Sequence, residues 1–218
     1  TTPLRIGMTV SVEQNGTDAV TSRPIAGKIL VQSSIKGVAS YTGSTLTVAG
    51  MPITTDTSTI LLDTTGAVTN LAALNNQSVE VYGLPQADGS FMATLVEAET
   101  GALNVQIVGT VQSIDTTAKT LALGTTAAPI TVNYTSIAPP SGLVTGAVVV
   151  VKSSTNATAS NYTASSLQVR SGTASTYVSY ANNYSGTTGV HTERNELYGS
   201  VSDKTLIYNG ATVTGCTL

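Results

Sequence analysis

Three times along this chain a glycine is followed within two residues by valine, then by a variable loop and a Thr-Leu that opens an alternating strand. The copies read Gly37-Val38 with Thr45-Leu46-Thr47-Val48, Gly109-Thr110-Val111 with Thr120-Leu121-Ala122-Leu123, and Gly199-Ser200-Val201 with Thr205-Leu206-Ile207-Tyr208. Ala49-Gly50 then leads to Met51-Pro52-Ile53, and Asn209-Gly210 leads to Ala211-Thr212-Val213. Asn-Gly between alternating apolar residues is a strong hairpin signal, because both central residues take positive φ. The middle copy predicts a longer turn, Gly124 to Pro129, before Ile130-Thr131-Val132. A second piece, Leu, then Gly or Asn, then Val-x-Val, also occurs three times: Leu4, Gly7, Val10, Val12; Leu74, Asn76, Val79, Val81; and Leu143, Gly146, Val149, Val151. Apolar residues at every second position mark a half-buried strand. At the start of the chain the turn after these strands is read at Asn15-Gly16-Thr17, before a strand from Ile25 to Val31.

The order of the pieces is second, first-second, first-second, first. The chain therefore divides into 1–33, the second half of a split repeat; 34–103 and 104–170, two complete β repeats; 171–196, a Tyr/Ser/Gly-rich linker; and 197–218, the first half of the split repeat. Placed end to end, Gly199 to Leu218 followed by Thr1 to Val31 reads as one intact repeat. The break falls where the first complete repeat has a loop, Thr54 to Ala73. A two- or three-stranded fragment is marginal alone in water, and its edge offers unpaired N–H and C=O groups to any strand nearby. Three completions are open: the halves close within one chain, each is filled by the next molecule in a head-to-tail contact that does not close on itself, or the chain is a piece of a longer tandem array.

Composition agrees with an all-β surface covered by hydroxyls rather than charge. Of 218 residues 41% are hydrophobic and 10% charged, with 61 Ser plus Thr, no Trp and one Phe. An average soluble domain carries about 25% charged residues. No apolar run approaches the roughly 18 residues of a membrane span, so no membrane insertion is expected. A net charge of -3 with nine scattered basic residues lacks the basic patch that nucleic acid requires. Thr1-Thr2-Pro3-Leu4 has neither the basic start nor the apolar stretch of a leader, so an exported chain is expected in processed form.

Gly-x-Val, Thr-Leu-x-Val, Gly-x-x-Val-x-Val and Asp88-Gly89-Ser90-Phe91-Met92-Ala93 together resemble a bacterial exported β-barrel family known only as a domain of unknown function and often found in tandem. The resemblance extends over about 165 residues and is best in 34–99. It implies a small OB-like barrel of about 70 residues per repeat and an envelope or extracellular location, and it carries over no catalytic residue. In the second repeat the Asp-Gly turn is replaced by Asn156 to Asn161.

Catalytic and metal chemistry finds little footing. His191, the only histidine, lies in Val190-His191-Thr192-Glu193 and reads as a solvated loop residue. One His and one Cys do not make a zinc site. Calcium needs only oxygens, but Asp56, Asp63, Asp88, Asp115 and Asp203 fall in turns without a D-x-D-x-D-G spacing, which favours turn capping. Glu97-x-Glu99 places two carboxylates on one strand face and reads as a solvated edge. Cys216 reads as a small buried apolar residue. Sugar binding would have to rest on tyrosines, and six N-x-S/T sequons, at Asn15, Asn76, Asn133, Asn156, Asn161 and Asn183, are what so much Ser, Thr and Asn produces by chance.

The expectation is an all-β, non-enzymatic structural protein without cofactor: an extracellular subunit whose partner is itself, polymerising head to tail. Its interface would be the apolar faces of the split repeat, Leu4, Ile6, Val10 and Val12 against Val201, Leu206, Tyr208 and Val213. Tyr177, Tyr180 and Tyr184 in the linker would supply a secondary contact, since tyrosine offers area at low entropic cost. The alternative is a monomeric exported or cell-surface binding module closed within one chain, with carbohydrate or calcium as conceivable ligands.

Overall fold

The computed structural model describes residues 8–20, 24–154 and 160–170, and, as backbone, 178–181, 196–202, 205–208 and 211–213. The strands are β1 (Thr9–Thr17), β2 (Pro24–Gln32), β3 (Ile35–Thr42), β4 (Thr45–Val48), β5 (Met51–Thr54), β6 (Ile60–Leu62), β7 (Ser78–Pro85), β8 (Phe91–Glu99), β9 (Val105–Thr110) and β10 (Ser113–Asp115). They continue with β11 (Thr120–Thr125), β12 (Ala128–Asn133), β13 (Val148–Ser153), β14 (Asn161–Thr163), β15 (Ser166–Arg170), β16 (Val178–Ala181), β17 (Glu196–Ser202), β18 (Thr205–Tyr208) and β19 (Ala211–Val213). The only helical turn among the described residues is a 3-10 turn at Leu71–Leu74, capped by the Asn70 side chain. The chain is all-β, as its alternating pattern requires.

Strands β3 to β8 close a ring. β3 pairs with β4, β4 with β5, β5 in parallel with β8 (Ile53 opposite Phe91), β8 with β7, and β7 returns to β3 (Ile35 opposite Val81). The β4–β5 hairpin turns on Ala49 and Gly50, at φ 50° and 77°, the two positive angles that a tight twisted hairpin demands. Thr54 to Ala73, read from sequence as a variable loop, contains β6, which runs parallel to β8 with Ile60 opposite Leu95.

Over 105–170 the same neighbour order recurs, with two strands broken. β9 pairs with β13, and β10 continues its line onto β11. The change of partner occurs at Val111, whose N–H donates to Ala147, and Gln112, whose N–H donates to Ala122. β14 lies parallel to β12 and β15 antiparallel to β13, with the switch at Ala164 and Ser165. The turn expected from Gly124 to Pro129 is shorter: the ladder runs on to Thr125 opposite Ala128, and the Thr125 hydroxyl accepts the Ala128 N–H at 3.2 Å.

The two units are joined without a seam in their packing. One apolar cluster runs from Ile35 to Leu167, with Phe91, Met51, Leu123 and Ile130 fully or almost fully buried. β3 meets β9 edge to edge with Lys36 opposite Gln106, the Val108 N–H donates to Ser34, and the Gln106 amide donates to the Ser33 carbonyl at 2.9 Å. The β7–β8 turn presses on the second unit. Gly89 has φ +89°, and a Cβ there would stand 1.9 Å from the Gly124 carbonyl oxygen, which only glycine tolerates.

The third sheet reunites the two ends of the chain in the order β19-β18-β17-β1-β2, with β16 on the other edge of β17. The Asn15-Gly16 pair read as a turn is instead a bulge inside β1: the register shifts between Gln14 and Thr17 while Gly16 takes φ 87°. The chain then reverses after Asp18, whose carboxylate accepts the Val20 N–H.

Candidate assembly interface

The seam between the chain ends is the β1–β17 ladder, five antiparallel pairs from Thr9 opposite Ser200 to Glu13 opposite Glu196. Val10 stands opposite Gly199 and Val12 opposite Leu197. On its other edge β1 holds β2, which sets Val10 against Val31 and Val12 against Ile29. Beyond β17, Val201 pairs with Leu206, Leu206 with Val213 and Tyr208 with Ala211. The four C-terminal positions nominated from sequence thus lie in one β17–β18–β19 meander, and Val10 and Val12 lie in the strand it docks on. Tyr180 sits in β16 opposite Leu197. Leu4, Ile6, Tyr177, Tyr184, His191, Asp203 and Cys216 lie outside the described residues.

Val10 and Val12 are buried, and their neighbours were not legible in the sequence. With Met8 they pack on Leu95 of β8, surrounded by Ala26, Ile29, Val31, Ile60, Leu62 and Tyr82. Leu95 follows Ala93 and Thr94 and breaks the alternation of β8, because the bulge between Tyr82 and Gly83 changes which residues face the first unit's core. That one-residue slip turns Leu95 toward β1. The N-terminal hairpin is therefore seated on the 35–99 unit by its apolar face, each covered Val or Leu contributing about 1.5–3 kcal/mol.

Polar groups frame this seat. The Tyr82 hydroxyl donates to Glu80 at 3.0 Å, and Lys36 pairs with the same carboxylate. Burial pushes the Glu80 carboxyl up, but hydrogen bonds from Lys36, Ser33 and Tyr82 and the Lys36 charge outweigh it, leaving its pKa below the ordinary value. Tyr82 is raised well above an ordinary phenol by burial and the neighbouring carboxylates. Directly across the ladder from Glu80, Glu97 is raised by burial first and then by the charges of Glu99 and Glu80. The Glu97 and Glu99 pair read as a solvated edge is thus a half-buried acidic strip with one lysine, Lys36, at its far side.

The aspartates read as turn caps are occupied locally. Asp56 accepts from Ser58 and Thr59, Asp63 from Thr65 and Ala67, Asp88 from Ser90, and Asp115 from Thr117 and Ala118. Among the described residues no group of three or more His, Cys, Asp or Glu is arranged to hold a metal ion. No helix there is long and apolar enough to cross a membrane. An open cavity of about 230 Å³ lies between the β10–β11 turn and the 134–143 loop, bounded by Ile114, Lys119, Tyr134 and Leu143.

Residues 36–97 match the family described as Domain of unknown function (DUF5666). No curated protein matches the chain, and no solved structure matches it.

Proposed function

We propose that this chain is a structural, non-catalytic subunit of an extracellular bacterial filament. In this reading 34–103 and 104–170 are tandem OB-like barrels, a closed five-stranded architecture, and the split third repeat is the joint between subunits. The β17–β19 meander of one copy completes the N-terminal hairpin of the next, with Val10 and Val12 at the contact. The observation that carries this is the β1–β17 ladder: the two ends of the chain complete one strand order along a single edge. The hairpin is tied to the body by the short β2–β3 junction and by Leu95, whereas the meander is paired to β1 from the far side of residues 171–195. Exchanging a cis ladder for a trans one keeps every rung, so concentration and linker reach decide between them. Low charge and abundant Ser and Thr suit an exported surface.

A second reading is favoured by one observation, that all five rungs are formed within a single chain. On that reading the protein is a monomeric exported binding module.

Light scattering over a range of concentrations, with negative-stain microscopy of the same sample, separates the two. Fibres or a ladder of oligomers support the joint between subunits, and a compact monomer near 22.1 kDa at every concentration overturns it.

A further inference from the structure

The edge by which the first two units join is self-complementary. In the β3–β9 ladder Lys36 stands opposite Gln106 and the Val108 N–H bonds to Ser34, so the centre of the contact is Ile35 opposite Ile107. Each of these residues lies two positions before the glycine of its Gly-x-Val motif, Gly37 or Gly109. The two units therefore meet through equivalent edges, about a local two-fold. On β3 that edge is the one opposite β7, and on β9 it is the one opposite β13.

The third motif glycine is Gly199, and the residue two before it is Leu197. Among the described residues the corresponding edge of β17, opposite β1, is taken by the four-residue strand β16 and not by another unit, with Tyr180 at the central position opposite Leu197. The geometry points to the Glu196–Gly199 edge as a docking site for the same edge of a second copy of this chain, Leu197 opposite Leu197, with β16 as the guard that keeps it covered. An isologous contact of this kind closes as a pair. Covering an edge with a short strand is a known defence against unplanned pairing, and four residues make a weak hold. The inference goes beyond the proposed joint and is independent of it, since β1 occupies the other edge of β17 whether the ladder is cis or trans.

The test is the double variant Ser179→Pro with Tyr180→Pro. Consecutive strand residues point their N–H groups to opposite sides, so one of the two prolines removes a bond to β17. A companion variant replaces Val178–Ala181 by a Gly/Ser stretch of equal length. Either is expected to double the species seen for the unaltered protein by light scattering and microscopy, from monomer to dimer or from single to paired fibres. Hydrogen exchange at those amides of 196–199 that face away from β1 is expected to stay slow in the doubled form. If the mass stays unchanged in both variants while those amides exchange fast, the edge is bare and does not pair, and the inference falls. It also falls if mass and exchange both stay as in the unaltered protein, because β16 then guards nothing.

Discussion

The unit built from β3 to β8 and the unit assembled from β17–β19 with β1 and β2 place their strands in the same order, yet they are held differently. In the first, β5 lies parallel to β8 and the ring is complete. In the second the order runs from β19 to β2, which touch, but among the described residues no ladder joins them. The first joins Val38 to Ser78, the second Thr9 to Ser200. In an unfolded chain that longer closure costs on the order of 1.4 kcal/mol more, from the logarithmic dependence on loop length. The comparison teaches that one neighbour order serves both as a sealed core and as an open seam, and that what separates them is the continuity of the chain and the last ladder.

Substitutions break that comparison from either side. Val10→Asp would place a charge among Met8, Val12 and Leu95, with an expected cost of about 3–5 kcal/mol to the seam. Assembly is lost, while limited proteolysis still returns a protected core from about 34 to 170; a mutant that assembles normally would refute the proposed joint. Gly89→Ala acts on the sealed side. Its φ of +89° and the 1.9 Å approach to the Gly124 oxygen predict a loss of about 2–4 kcal/mol, read by calorimetry as a lower Tm for the body with the seam register intact.

Smaller effects sharpen the picture at the acidic strip. Lys36→Met removes the partner of Glu80 and is expected to cost about 1 kcal/mol at neutral pH. Because the folded pKa of Glu80 is lowered, its contribution is present above the ordinary value of 4.5 and is lost as pH falls through the folded pKa. The difference between Lys36→Met and the unaltered protein should shrink there in urea titrations. Glu97→Gln runs the other way: its folded pKa is raised, so the charged form is penalised above that pKa. The variant should gain a few tenths of a kcal/mol at pH 7, and the gain should vanish below about pH 4, where the carboxyl is protonated both folded and unfolded. No change at pH 7 would mean that the Glu97 charge is solvated after all, and a loss that the fold stabilises it.

Much of the architecture was legible in the residues. The Val-x-Val pairs fall on β1, β7 and β13, and the Thr-Leu strands on β4, β11 and β18, each beside the partner its motif implied. Local chemistry misled in two places. Asn15-Gly16 carries a turn signature but supplies a bulge, since the β1–β2 ladder continues beyond it. Gly124 to Pro129 looked like a long turn, but the ladder runs to Thr125 opposite Ala128. In both, cross-strand pairing overrode the preference of a few residues.

The seat of the N-terminal hairpin was not legible at all. Leu95 lies in an apolar run, Phe91-Met92-Ala93-Thr94-Leu95-Val96, in which nothing local says that Leu95 turns outward and Val96 inward. The bulge opposite Tyr82 and Gly83 decides it. Gln106 and Lys36 gave no sign of meeting, because edge-to-edge contact depends on how two finished units dock.

By itself, then, the sequence determined the strand class and the positions of most hairpins. Period-two apolarity and positive-φ turn residues act over a few neighbouring positions, and so they can be read in order. Only the tertiary structure decided which edges meet, which faces the bulges turn outward, and that the two chain ends share one ladder. Backbone N–H and C=O groups are the same in every residue, so the edge that satisfies them is selected by packing at a distance.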